Sequence, residues 1–209
     1  MEPVTAGNGT VEDAIAALGS GLPVVLPTDT VYGLSANPYT EESVRRAYRL
    51  KGREDPQPSA LLASDVDTLL ECLPELRGRV GPILRSLLPG PLTLVVPNPA
   101  RRYRWLTGSR PDTIGVRVPR LPEPAAEVLS RAGSVMATSA NLPGEPDPAR
   151  LEDVPEHILE GCAAAIDGGD LPGVSSTVID LTGQTPKVLR EGAVPADEVL
   201  EHLAGLIAE

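Results

Sequence analysis

The stretch PVVLPTDTVYGL, residues 23–34, decides the fold class and marks the first candidate binding loop. Residues 24–26 are a short apolar, β-branched run that Pro27 stops, which predicts a buried strand. Three small polar residues, 28–30, follow directly, and a loop at a strand end is a common ligand address in α/β folds. Thr and Asp also stabilise turns through backbone hydrogen bonds. The loop over 27–34 is therefore either a binding site or a turn.

Helical and strand patterns alternate along the rest of the chain. Thr10 predicts the cap of a first helix, with Val11, Ile15 and Leu18 on its apolar side. Thr40 predicts the start of a second helix that runs into Lys51. Further strands are predicted over 92–96, 114–118, 135–138, 162–166, 177–181 and 188–190, and helices near 66–72, 75–88, 123–132 and 196–207. This pattern indicates a mixed α/β fold.

Length and composition indicate one globular domain over 1–209, with a core from roughly 10 to 205. The chain is 41% hydrophobic and 22% charged, and it has 23 prolines and 20 glycines, which predict many sharp loops. No apolar run reaches the roughly 18 residues that span a bilayer, and the N-terminus lacks a signal-peptide pattern. We therefore expect a cytoplasmic protein that does not enter the membrane.

The sequence has few residues suited to disulfide formation, metal binding or binding of nucleic acid. Cys72 and Cys162 are isolated and are expected to be buried small residues, and His157 and His202 fall in predicted surface helices. We therefore predict no metal site. The pattern over 167–170, Asp-Gly-Gly-Asp, is more typical of a turn than of a cation site. A net charge of −11 and only five aromatic residues also argue against strong autonomous binding of nucleic acid.

Lys51 and Arg53 place two cations on a segment that could fold over phosphates. A solvated helix end is the alternative, because cations at that position meet the helix dipole favourably.

A second cluster lies on a predicted strand. Thr113, Gly115 and Arg117 share one face by the period of two, and the glycine leaves room between the other two side chains. An inward-facing arginine must meet an anionic ligand or a carboxylate of the protein, because an unpaired buried charge is too costly. Both possibilities remain open at this point.

Two more polar groups follow later strands. Ala137, Ser139 and Asn141 offer small, hydroxyl and amide side chains after an apolar run, although a helix cap or turn would use the same residues. Ser176 and Arg190 would complete a polar pocket at a strand entrance and a strand exit. There is no phosphate loop of the G-x-x-x-x-G-K-[ST] type and no G-x-G-x-x-G fingerprint.

Taken together, these segments resemble the YrdC-like family of threonylcarbamoyl-adenylate synthases, in its short single-domain form. The matching segments share their order and spacing with that family: residues 27–34, 51–53, 89–93, 115–119, 139–141, 176–180 and 189–190. The resemblance implies a twisted, open, mixed α/β sheet with flanking helices around a deep cleft, as in YrdC and RibB. It also implies a nucleotidyltransferase that condenses L-threonine, bicarbonate and ATP, the last with Mg²⁺, into threonylcarbamoyl-AMP and pyrophosphate.

The resemblance also implies roles for particular residues. The threonine site would comprise Thr30, Tyr32, Arg117, Ala137 and Ser176. The ATP site would comprise Lys51, Arg53, Thr113, Ser139, Asn141 and Arg190, with Lys51 and Arg53 as catalytic residues. The product would pass to a partner threonylcarbamoyl-transferase machinery that modifies adenosine 37 of tRNA.

Two competing hypotheses remain. The first is a double-stranded RNA or tRNA binding module without synthase activity, or weak tRNA binding, through a basic patch of Lys51, Arg53, Arg101, Arg102, Arg104, Arg117 and Arg120. The second is a related carbamoyl-adenylate domain of hydrogenase maturation, which the expected lack of attached zinc-finger and acylphosphatase-like segments disfavours.

Overall fold

The computed structural model describes residues 9–52 and 57–207. Within this part of the chain nine strands form one mixed sheet, in the order β7-β1-β2-β6-β3-β5-β4-β8-β9. The strands are β1 Val24–Pro27, β2 Tyr32–Ala36, β3 Ala60–Ala63, β4 Leu92–Pro97, β5 Thr113–Arg117, β6 Ser134–Ser139, β7 Ala164–Ala165, β8 Thr177–Asp180 and β9 Lys187–Arg190. The β1–β7, β3–β5 and β4–β8 pairs are parallel and the others antiparallel. The predicted open mixed sheet is confirmed.

Helices flank this sheet: α1 Val11–Gly19, α2 Glu41–Leu50, α3 Val66–Cys72, α4 Val80–Leu87, α5 Glu123–Ala132, α6 Glu156–Gly161 and α7 Ala196–Ile207. The cap predicted at Thr10 is confirmed, because its hydroxyl accepts the backbone N–H of Asp13 and the Asp13 carboxylate accepts that of Thr10. The single helix predicted near 75–88 is wrong. A 3-10 turn, Pro74–Arg77, precedes α4, and Gly78 and Arg79 separate the two.

The two faces of the sheet carry separate hydrophobic clusters. Val24 and Leu26 of β1 pack with α1 and α5, whereas Val25 between them belongs to the larger cluster on the opposite side. Ala137 of β6 belongs to the α1–α5 cluster and also borders an open cleft. The cleft therefore occupies a part of that face that α1 and α5 leave uncovered.

Residues 27–34 are not a single loop, and this prediction is wrong. Thr28 closes a tight turn, because its hydroxyl accepts the backbone N–H groups of Thr30 and Val31 and donates to the Val31 carbonyl. The chain then returns antiparallel to β1 as β2. The polar residues thus lie at a hairpin turn, where hydrogen bonding fixes their position.

Candidate functional site

A cleft of about 350 Å³ opens on the face of the sheet described above. The β1–β2 turn, the loop before β5, the segments before β3 and β8, and residues of seven strands contribute to its wall. Its polar lining consists of hydroxyl groups and three guanidinium groups, Arg110, Arg117 and Arg190. Among the described lining residues there is no carboxylate, imidazole or thiol. The cleft therefore suits an anionic ligand.

Arg117 forms the buried end of this cleft. Its Nη2 atom lies 2.7 Å from Oδ1 of Asp29 and 3.2 Å from the Thr30 hydroxyl oxygen. The side chains of Arg117 and Asp29 are 11% and 9% exposed. Burial lowers the pKa of Arg117, and the Asp29 carboxylate counteracts that effect.

The Nε atom of Arg117 is buried and has no hydrogen-bond partner among the described residues. Of the two possibilities for an inward arginine, the ion pair with a carboxylate of the protein is the one present. Arg117 therefore has an internal ion pair and one donor that no described residue uses. The backbone N–H of Arg120 holds the second oxygen of Asp29 at 3.0 Å.

Ser176 and Arg190 meet at another wall. The Arg190 guanidinium donates to the Ser176 carbonyl at 2.8 and 3.1 Å, from Nη2 and Nε, and to the Ser176 hydroxyl at 3.1 Å. The Ser176 hydroxyl also lies 2.7 Å from that of Thr93. The predicted pairing of a strand entrance with a strand exit is present, because antiparallel β8 and β9 bring the two residues together.

Lys51 is not a solvated helix end. It is the C-cap of α2 and only 2% exposed, and its ammonium group donates to the Ser139 carbonyl at 2.5 Å and to the carbonyl and side-chain oxygens of Asn141 at 2.8 Å each. The Ser139 hydroxyl in turn donates to Asn141 Oδ1 at 2.6 Å. Three of the residues predicted for ATP therefore form one hydrogen-bonded cluster next to the cleft.

Apart from Tyr32, the predicted site residues that the structure describes either line the cleft or lie directly behind its lining. Those that line the cleft are Thr30, Thr113, Arg117, Ala137, Ser139, Ser176 and Arg190. Lys51 and Asn141 stand behind the lining, in contact with Ser139. Arg53 lies outside the described residues.

Tyr32, which was predicted for the threonine site, does not line the cleft. Its neighbour Gly33 borders the cleft, so the side chain of Tyr32 points to the other face of β2. The Tyr32 hydroxyl donates to Asp167 or the Gly169 carbonyl, both at 2.9 Å, and accepts the Gly168 N–H. Tyr32 thus fastens the segment that leads to Ser176.

In residues 167–170 the Asp167 carboxylate accepts the Gly169 N–H at 2.9 Å, a side-chain contact typical of turns. The described residues contain no group of three metal-ligating side chains. Cys162 is buried as expected, and burial raises its pKa to about 12, but Cys72 is only partly buried. Within residues 9–52 and 57–207 we find no helix with the length and apolarity that crossing a bilayer requires.

Two of the seven residues in the basic patch of the RNA-binding hypothesis are buried. Lys51 and Arg117 are 2% and 9% exposed, so neither offers its charge to a surface ligand. Arg102 forms an ion pair with Glu75.

Sequence reasoning missed the loop that precedes β5. Thr107, Ser109 and Arg110 of this loop line the cleft, as do Pro58 and Ser59 before β3. These residues belong to no periodic pattern. Their position follows from the pairing of β5 with β3 and β4, which a single sequence does not reveal.

The cleft can hold and orient an anion. Apart from hydroxyl groups, its described lining has no side chain that could serve as an acid, a base or a nucleophile at neutral pH. Catalysis in such a site depends on positioning and on cationic stabilisation of developing charge.

Comparison with known proteins gives consistent results. A family profile described as "Telomere recombination", which groups the Sua5, YciO and YrdC proteins, matches residues 16–192. A Mycobacterium tuberculosis protein with the provisional name threonylcarbamoyl-AMP synthase is 32% identical over 203 residues, which cover 97% of this chain and 92% of that protein. The threonylcarbamoyl-AMP synthase of Pyrococcus abyssi is 35% identical over 187 residues, which cover 89% of this chain and 55% of that protein. This chain thus spans about half the length of the Pyrococcus relative.

Solved structures agree with the sequence comparisons. P. abyssi Sua5 complexed with L-threonine has a TM-score of 0.78 at 34% identity, covering 91% of this chain and 56% of that one. Escherichia coli YciO has a TM-score of 0.77 at 27% identity, covering 91% and 92%.

Proposed function

This chain belongs to the Sua5, YciO and YrdC family, and we propose that it is a threonylcarbamoyl-AMP synthase, a nucleotidyltransferase. The substrates are L-threonine, bicarbonate and ATP, and the products are threonylcarbamoyl-AMP and pyrophosphate. The observation that carries the proposal is the shape of the cleft wall, in which a buried arginine with an unused Nε donor stands beside small and hydroxyl side chains.

The threonine site lies at the buried end of the cleft. Arg117 binds the carboxylate, since its Nε is free and a guanidinium matches a carboxylate in geometry. Thr30 and Ser176 offer hydroxyl groups, and Ala137 leaves room for the side chain of the substrate. The solved complex of P. abyssi Sua5 with L-threonine supports this choice of ligand.

The ATP site lies along the rest of the cleft. Thr113, Ser139 and Arg190 line it, and Lys51 and Asn141 hold Ser139 from behind. Arg53 is assigned here from its place in the Lys-Gly-Arg motif alone.

Mg²⁺ enters with the nucleotide as part of the substrate. No group of three metal-ligating residues occurs among the described residues, so the protein itself offers no resident metal site in that part of the chain. Mg²⁺ commonly keeps several waters and binds through substrate phosphates, which agrees with this arrangement.

The reaction proceeds in two steps that need no protein nucleophile. The threonine ammonium and bicarbonate give the carbamate, one water and one proton. A carbamate oxygen then attacks the α-phosphorus of ATP, the bond between that phosphorus and the bridging oxygen of the β-phosphate breaks, and pyrophosphate leaves. Arg190 stabilises charge on the phosphorus oxygens, Lys51 acts through Ser139, and the cleft aligns the two reactants.

The product is an activated acyl group, and it requires an acceptor. We infer that a partner threonylcarbamoyl-transferase places it on adenosine 37 of tRNA as N6-threonylcarbamoyladenosine, in the cytoplasm. The relatives named threonylcarbamoyl-AMP synthase support this role.

Release of pyrophosphate tests the proposal. The purified chain with ATP, Mg²⁺ and bicarbonate should release pyrophosphate when L-threonine is added, and much less when glycine replaces it. Arg117→Lys keeps the charge but loses the planar fork, so it should raise the KM for threonine with little change in that for ATP. Arg131→Lys is the matched control, because Arg131 pairs with Glu12 on the surface away from the cleft. Pyrophosphate release at the same rate with and without threonine would contradict the proposal.

A further inference from the structure

The loop before β5 fixes one arginine at the rim of the cleft. The Arg110 backbone N–H donates to the Thr107 carbonyl at 3.2 Å, and the Arg110 carbonyl accepts the N–H and the hydroxyl of Thr113 at 3.1 and 3.2 Å. The backbone is thus anchored, while the side chain lines the cleft and is 53% exposed.

The side chain of Arg110 has one weak partner. Its Nη1 atom lies 3.5 Å from Oδ2 of Asp180, at the end of β8. The other oxygen of that carboxylate accepts the N–H and hydroxyl of Thr182 at 2.8 and 2.5 Å, so Asp180 stays hydrogen-bonded without the arginine. A pair this long and this exposed contributes little to stability, and the guanidinium can leave it at small cost.

The other described cations in the lining are already engaged. Arg117 pairs with Asp29, and Arg190 makes three hydrogen bonds to Ser176. Among the described cations of the lining, Arg110 has the longest and weakest contact with the protein, so it is the one that a ligand with several negative charges can recruit most easily. Ser109 beside it lines the cleft as well.

We propose that Arg110 leaves Asp180 when nucleotide binds and contacts the polyphosphate chain of ATP beyond the α-phosphate. This inference rests on the proposed function. Arg117 and Thr30 are buried, which suits a single enclosed carboxylate, whereas the Arg110 side chain is 53% exposed and can reach a chain of phosphates that extends towards solvent. A guanidinium also matches phosphate oxygens in bidentate geometry.

Direct binding measurements on the full chain test this inference without turnover. We would measure the Kd of ATP, AMP and inorganic pyrophosphate by calorimetry, with Mg²⁺ and without threonine, for the wild type and Arg110→Ala. Loss of a charge-assisted contact should weaken ATP and pyrophosphate by about 10- to 100-fold and leave AMP binding unchanged. Arg110→Lys should recover part of the loss.

Two further variants sharpen the experiment. Arg85→Ala is the matched control, since Arg85 is 52% exposed and pairs with Asp67 on the surface outside the cleft. It should bind all three ligands like the wild type. Asp180→Asn removes the competing charge and should tighten ATP binding by up to about fivefold.

The outcomes distinguish this inference from the proposed function. Equal binding of ATP and pyrophosphate by wild type and Arg110→Ala would overturn the inference alone. Equal loss of ATP and AMP by Arg110→Ala would overturn it too, because the contact would then not involve the outer phosphates. Absence of any nucleotide binding by the wild type would overturn the proposed function, and the inference with it.

Discussion

Replacing Asp29 with alanine should destabilise the fold strongly, because it leaves the Arg117 guanidinium buried without its carboxylate. The ion pair is 2.7 Å long, and about nine-tenths of each side chain is buried. Thr30 would remain as a partner at 3.2 Å, Nε already lacks one, and the Arg120 N–H would lose its acceptor. Breaking a buried pair on one side costs about 3–5 kcal/mol of the free energy of unfolding.

That cost corresponds to a fall in Tm of about 6–20 °C for a chain of this length. Denaturant titration followed by circular dichroism would measure the free energy directly. Arg117→Met in the Asp29→Ala background removes the orphaned charge as well, and it should recover at least about 2 kcal/mol relative to the sum of the single changes. A loss below about 1 kcal/mol for Asp29→Ala would refute the reasoning, because that value is typical of a solvated surface pair.

Three other changes test separate parts of the structure. Asp65→Ala should cost about 1 kcal/mol, since Asp65 caps α3 by accepting the Thr68 N–H at 2.8 Å. That hydrogen bond lowers the pKa of Asp65, so the difference from wild type should be present above about pH 4 and disappear as the pH falls through the lowered folded-state pKa, whereas Asp65→Asn should keep most of the cap. Tyr32→Phe should cost about 1–3 kcal/mol, because the Gly168 N–H loses its acceptor and either Asp167 or the Gly169 carbonyl loses a donor. Burial raises the pKa of Tyr32 to about 12, so its contribution should hold up to about pH 10 and be lost as the pH rises through the folded-state value; an unchanged melting curve at pH 7 would argue against it. Gly115→Ala should fold normally, because the added carbon would lie 3.6 Å from Thr93 Cγ2 and 3.8 Å from Ala60 Cα, yet it should weaken substrate binding in a titration by narrowing the cleft.

The local rules of sequence predicted those parts of the site that depend on one strand. The period of two places Thr113, Gly115 and Arg117 on a common face, and all three line the cleft. The sequence did not predict β2 as a strand. In that strand the same rule places Tyr32 and Gly33 on opposite faces, so that Tyr32 points away from the cleft. The orientation of Tyr32 therefore follows from the hairpin.

Other features depend on contacts far apart along the chain. β3 reads Ala-Leu-Leu-Ala, which has no β-branched residue, and it is a strand because β5 and β6 pair with it on both sides. Lys51 looks like a solvated helix end, yet a segment about ninety residues later, around Asn141, buries it. Arg110 carries no local signal at all.

Isotope labelling with mass spectrometry tests the central claim most directly. The purified chain is incubated with ATP, Mg²⁺, L-threonine and ¹³C-bicarbonate, and the quenched mixture is analysed for the adenylate. We predict threonylcarbamoyl-AMP that carries one ¹³C atom. It should form in equal amount to pyrophosphate and be absent when threonine is omitted. Bound ATP with no labelled adenylate under these conditions would contradict the assignment of this chain as a synthase.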